Sequence, residues 1–165
     1  MSETGQNFIA GSWCDGQSPI ANINPSDLSD QIGHYAQADS AQLERALDAA
    51  QTAQKKWATI GLEARQTILM NIGNELMERR VELGTLLSRE EGKPLAEGVG
   101  EIYRAGQFFT YYAAEVLRQI GDTADSVRDG IEIDVRREPV GVVAIISPWN
   151  LSLIHISEPT RQASI

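Results

Sequence analysis

The segment Val140-Gly141-Val142-Val143-Ala144-Ile145-Ile146 runs for seven residues without a polar side chain. A strand with one wet face alternates apolar and polar residues; an unbroken run predicts a strand covered on both faces. That burial is characteristic of parallel sheets flanked by helices, so the run restricts the chain to an α/β architecture. It is far too short to cross a bilayer, which needs about 20 apolar residues in a helix. Just before it, Ile131, Ile133 and Val135 alternate with Glu132, Asp134 and Arg136, the period of a strand with one wet face. Arg137-Glu138-Pro139 turns the chain between the two.

Helices are expected to supply the cover. Asp39 stands three residues before Gln42, the spacing of a capping box. Leu43, Ala46, Leu47, Ala50, Ala53 and Trp57 then recur at helical spacing and predict one buried stripe, ended by Gly61. A second helix starts near Leu62 with Ile68, Leu69, Ile72 and Leu76 inward. A third carries Leu83, Leu86 and Leu87 and stops at Glu91-Gly92-Lys93-Pro94, because glycine just past the last turn and then proline end a helix. A fourth is expected from Leu95 to about Ile120, followed by a loop over 122–130. The first forty residues read as short strands and turns. Phe8-Ile9-Ala10 and Ser12-Trp13-Cys14 flank Gly11 as a hairpin, Asn24-Pro25 opens a loop, and Ile32 to Tyr35 form a further strand.

Length and charge narrow the function. At 165 residues the chain suits one compact domain. Its 14 basic and 23 acidic residues give a net charge of −9, the wrong sign for nucleic acid or an anionic membrane surface. The first basic residue is Arg45, so no secretory or transit leader is read, and a cytoplasmic location is expected. The sole cysteine, Cys14, excludes an internal disulfide and a zinc cluster, and no metal site is expected. His34 and His155 lack ligand-spaced partners. Glu90-Glu91 and Asp122 with Asp125 read as solvated charges, and Lys93 as a helix-end residue rather than a Schiff-base amine.

One cluster stands where chemistry is expected. Ser147-Pro148-Trp149-Asn150 follows the buried run, and open α/β sheets bind ligands beyond the carboxyl ends of their strands. Position alone favours a strand exit, with proline as punctuation and tryptophan as core.

The string Arg137-Glu138-Pro139-Val140-Gly141-Val142-Val143, continued by Ile145-Ile146-Ser147-Pro148-Trp149-Asn150, resembles the aldehyde dehydrogenase superfamily. The Phe8-Ile9-Ala10-Gly11 hairpin, Asn24-Pro25, the Ala-rich helix ending at Trp57 and Glu91-Gly92-Lys93-Pro94 fall in that family's order, so the likeness covers roughly residues 7 to 150. Semialdehyde-oxidising members are nearest, those acting on α-ketoglutaric semialdehyde among them. The resemblance implies the N-terminal part of an aldehyde dehydrogenase fold: leading β-hairpin, covering helices, an oligomerisation-arm strand near 131–137, and the first strand of a Rossmann-like cofactor sheet. Residues 1–150 would then be part of an NAD(P)-binding domain. The cofactor is expected to be NAD or NADP, the substrate a small-molecule aldehyde, and the parent a homo-oligomer. By motif match Asn150 is catalytic, donating its side-chain amide to the substrate oxyanion. Ile146, Ser147, Trp149 and Asn150 line the cofactor site, the first two through their backbones. The nucleophilic cysteine and general-base glutamate of the family are expected downstream. From Leu151 the string Leu-Ser-Leu-Ile-His-Ile-Ser-Glu-Pro-Thr-Arg departs from the family pattern and resembles a translated sequencing adapter, so 151–165 is expected to be a non-native tail. A non-catalytic helical module docking through the strand at 131–135 is the competing reading.

Overall fold

The computed structural model describes residues 4–118 and 120–151. The adapter-like tail beyond Leu151, and His155 within it, lie outside the described residues.

The chain opens with five strands: β1 (Thr4–Gly5), β2 (Asn7–Ile9), β3 (Ser12–Cys14), β4 (Ser18–Ile23) and β5 (Gln31–Gln37). β2 and β3 form the expected hairpin, with Phe8 opposite Trp13 and their rings 4.9 Å apart. Ala10 and Gly11 link them with φ of 55° and 82°, the paired positive values of a two-residue type I′ turn. β1, β5 and β4 make a small mixed sheet in that order.

Four helices follow: α1 (Ser40–Thr59), α2 (Leu62–Glu78), α3 (Arg80–Glu91) and α4 (Leu95–Val116). Asp39 caps α1, its carboxylate accepting from the Gln42 N–H at 2.7 Å. Gln42 does not complete the box; its side chain donates to the Asp15 carbonyl and accepts from Asn7, tying α1 to the strands. Gly92 ends α3 in the left-handed region at φ 70°.

The core lies along α4, where Ile102 and Ala105 are 0 % exposed. Glycines let its neighbours approach closely. A Cβ on Gly84 of α3 would stand 2.6 Å from both Cα and N of Val99, and one on Gly73 of α2 would stand 2.8 Å from the Gly106 carbonyl oxygen.

The strands and loop are tied to α3 by charge. Arg89 donates to both oxygens of Asp30, at 2.6 and 2.8 Å, while Asn24 donates to the same carboxylate. The Arg89 hydrogen bond, then that of Asn24, holds Asp30 down at about 2 against an ordinary 3.8. A carboxyl depressed by folding stabilises fully above its unfolded value and loses that contribution as pH falls through the folded one. The tie is therefore expected to hold at neutral pH and to release between about pH 4 and pH 2. Amide exchange over residues 24–30 should accelerate in that window in the wild type and show no such step in Asp30→Asn. An Asp30 carboxyl that titrates near 3.8 would contradict the tie.

Several expectations are corrected. α4 ends at Val116 rather than near Ile120, and part of the expected loop is a strand: β6 (Asp122–Asp125) pairs antiparallel with β7 (Glu132–Val135). Both faces of that ribbon are exposed, so its alternation marks no wet and dry side here. No residue of α1 is buried; its stripe lines an open apolar groove beside Phe8 and Ile9. Most consequentially, no strand forms over 140–146, and Val140, Val142, Val143, Ile145 and Ile146 are exposed. A strand buried on both faces requires a neighbour to bond and helices above and below, and no described strand pairs with this segment. The expected first strand of a cofactor sheet is thus absent as an element among the described residues, although its apolar pattern is present.

Candidate functional site

The corner between α3 and α4 gathers the polar groups of the site. Gly92 reverses the backbone after Glu91, Lys93 follows, and Pro94 precedes the first turn of α4. Glu101 stands two turns into α4, only 4 % exposed and beside the fully buried Ile102. Lys93 Nζ lies 2.5 Å from Glu101 Oε2 and 2.5 Å from Glu91 Oε2. Lys93 donates to Glu101 and, at 2.9 Å, to the main-chain oxygen of Asn150, a residue 57 positions away, while Glu91 faces the same ammonium as an ion pair.

Burial pushes the Lys93 ammonium toward its neutral form, but the hydrogen bonds to Glu101 and Glu91 outweigh it and its pKa is raised. A protonated lysine is no nucleophile, which agrees with excluding a Schiff base. Its role is larger than that of a helix-end charge, and Glu91 is no solvated surface acid: its side chain is 7 % exposed. Sequence reasoning missed this cluster because its members come from three segments. A cue was present in Glu101, an acid one residue before Ile102 on the inward face of α4.

These groups line an open cleft of ≈ 590 Å³ together with Glu97, Arg104 and residues 149–151. The structure thus brings Trp149 and Asn150 together against the α3–α4 corner. Asn150 is exposed in a turn, with its carbonyl on Lys93. Ser147 and Pro148 are half-buried, and neither Ile146 nor Ser147 lines the cleft. Ile146 is 86 % and Trp149 88 % exposed, on either side of Ser147-Pro148, and the turn itself is Trp149-Asn150. Cys14 lies elsewhere, in the leading hairpin, with the Ser12 carbonyl at 3.7 Å and the Arg45 guanidinium at 3.8 Å. His34 sits on β5 beside Gln31. Among the described residues no group of His, Cys, Asp or Glu forms a metal cluster, and no helix is long and apolar enough to cross a membrane.

Residues 13–163 match the Aldehyde dehydrogenase family. The chain belongs to that family. It is similar to the succinate-semialdehyde dehydrogenase (NADP(+)) GabD of Escherichia coli (strain K12), 36 % identical over 160 residues, covering 96 % of this chain and 32 % of the relative. It is also similar to the alpha-ketoglutaric semialdehyde dehydrogenase of Bacillus subtilis (strain 168), 34 % identical over 146 residues, 87 % of this chain and 30 % of the relative. Its fold superposes on the crystal structure of an aldehyde dehydrogenase from Brucella melitensis biovar abortus 2308 with a TM-score of 0.89 at 32 % identity, over 93 % of this chain and 32 % of that one. The chain therefore spans about a third of the length of these aldehyde dehydrogenases. Its α/β architecture is that of their N-terminal part.

Proposed function

We propose that this segment is the N-terminal portion of an NAD(P)-dependent aldehyde dehydrogenase that oxidises a semialdehyde to its carboxylate. The observation that carries the reading is the Ser147-Pro148-Trp149-Asn150 turn, anchored at the cleft, in a chain that belongs to the aldehyde dehydrogenase family. Semialdehydes are favoured because the relatives from E. coli and B. subtilis both carry that substrate class in their names.

In this reading a cysteine thiolate from another part of the protein adds to the aldehyde carbon, and the carbonyl oxygen takes up the negative charge. Asn150 donates its side-chain N–H to that oxygen, strengthening as charge develops and adding no titrating group of its own. Ile146 and Ser147 offer main-chain groups, and Trp149 its ring face, to the ribose and nicotinamide side of NAD or NADP. When bound, that cofactor accepts the hydride leaving the substrate carbon. Hydrolysis of the resulting thioester by a glutamate-activated water then releases the acid. The exposed β6–β7 ribbon serves as an arm for homo-oligomer contacts.

Cys14 has no part in this chemistry, since it sits in the leading hairpin with Ser12 and Arg45. The 165-residue chain is accordingly expected to reduce neither NAD nor NADP in the presence of aldehydes. Turnover that disappears in Cys14→Ser would overturn both the assignment of Cys14 and the division of labour. The competing module reading draws on the exposed β7 strand, which is free to pair with a partner's sheet edge. Gene sequence beyond Asn150 separates the two: continuation into Phe-Pro and a later cysteine motif supports the enzyme, and a stop after Ile165 supports the module.

A further inference from the structure

We infer that Lys93 is a positioning residue for Asn150: clamped between two buried carboxylates, its ammonium fixes the Asn150 main-chain carbonyl and thereby the place of the side-chain amide. The proposal rests on the oxyanion role of Asn150 given above. Two observations carry it. The ammonium is held by hydrogen bonds to the Glu101 carboxylate and the Asn150 carbonyl and by an ion pair with Glu91, so three groups fix its place. Its base is stiff, set between the left-handed Gly92 and Pro94, and Glu101 stands on the best-packed stretch of α4, next to Ile102 and Ala105. A donor misplaced by about 1 Å forfeits up to roughly a hundredfold in rate, so an anchor on the Asn150 carbonyl, in the same residue as the donor, has catalytic consequences without touching substrate.

The test uses Lys93→Met and the paired Lys93→Met/Glu101→Gln, the second removing one of the two buried carboxylate charges that face the lysine. In the 165-residue chain, backbone NMR order parameters at 149–151 are expected to fall while those of the α4 core around Ile102 hold; unchanged order parameters in the paired variant would overturn the proposal. In the full-length enzyme, kcat per folded molecule is expected to fall about tenfold or more, with little change in the Kd of NAD(P)+. Combined with Asn150→Ala, the lysine change should cost almost nothing further, because both act through one donor. A paired variant with wild-type kcat beside an impaired Asn150→Ala would sink the positioning role alone. If Asn150→Ala itself left kcat intact, the oxyanion reading would fail, and with it the basis of the proposal. A merely structural lysine would lower stability and leave kcat per folded molecule unchanged, which is the first of these two outcomes.

Discussion

In the full-length enzyme Asn150→Ala is expected to lower kcat on the order of a hundredfold or more, the usual consequence of deleting one oxyanion donor. The Kd for NAD or NADP should move far less, because Ile146 and Ser147 are assigned main-chain contacts that the substitution leaves in place. The thermal midpoint should also hold, since the Asn150 side chain is exposed and the bond to Lys93 uses its carbonyl, which alanine retains. Steady-state kinetics beside a melt of the same preparation decides the matter. Full turnover per folded enzyme would remove Asn150 from the catalytic groups and leave the turn as a strand exit.

The second large effect concerns stability. Gly84→Val is expected to destabilise the chain by roughly 3 kcal/mol, the upper range for overpacking a helix contact. Backbone atoms of Val99 stand 2.6 Å from where its Cβ must go, so α3 and α4 have to separate. Gly100 on the same helix has nothing within 4 Å of its Cβ position and is exposed. Gly100→Ala is therefore expected to stabilise by about 0.5–1 kcal/mol through helix propensity. Denaturant melts of the two variants against wild type check the pair. A Gly84→Val chain as stable as wild type would mean that the helices pack differently from the crossing described.

What the sequence disclosed was largely local. Asp39 capping α1, Gly61 parting α1 from α2, and Gly92 with Pro94 parting α3 from α4 are each decided by backbone preference within a few residues, and each stands where the pattern put it. The errors arise where a pattern records an environment rather than a conformation. The apolar content of 140–146 and of the α1 stripe states that these faces are suited to burial. It does not state that the covering partner lies among these residues, and both faces are exposed. β6 escaped notice because Asp122-Thr123-Ala124-Asp125 has no strand propensity; it is a strand through its pairing with β7. At the site, the Ser147-Pro148-Trp149-Asn150 string was legible as a motif, whereas the Lys93–Glu91–Glu101 cluster depends on helix packing that no single segment encodes.

The corner between α3 and α4 also fastens two chain loops of almost equal length running in opposite directions. Arg89 reaches back 59 residues to Asp30, and four positions later Lys93 reaches forward 57 to Asn150. Closing either loop from an open chain costs about 3.5 kcal/mol beyond a constant, on the scale of (3/2)RT ln n. Contacts of such sequence separation form only after the local helices they join have reduced that search. Both fastenings are therefore expected to form late, after α3 and α4 have met at the corner. Losing the backward fastening should leave the Asn150 turn seated, and losing the forward one should leave the amino-terminal sheet docked.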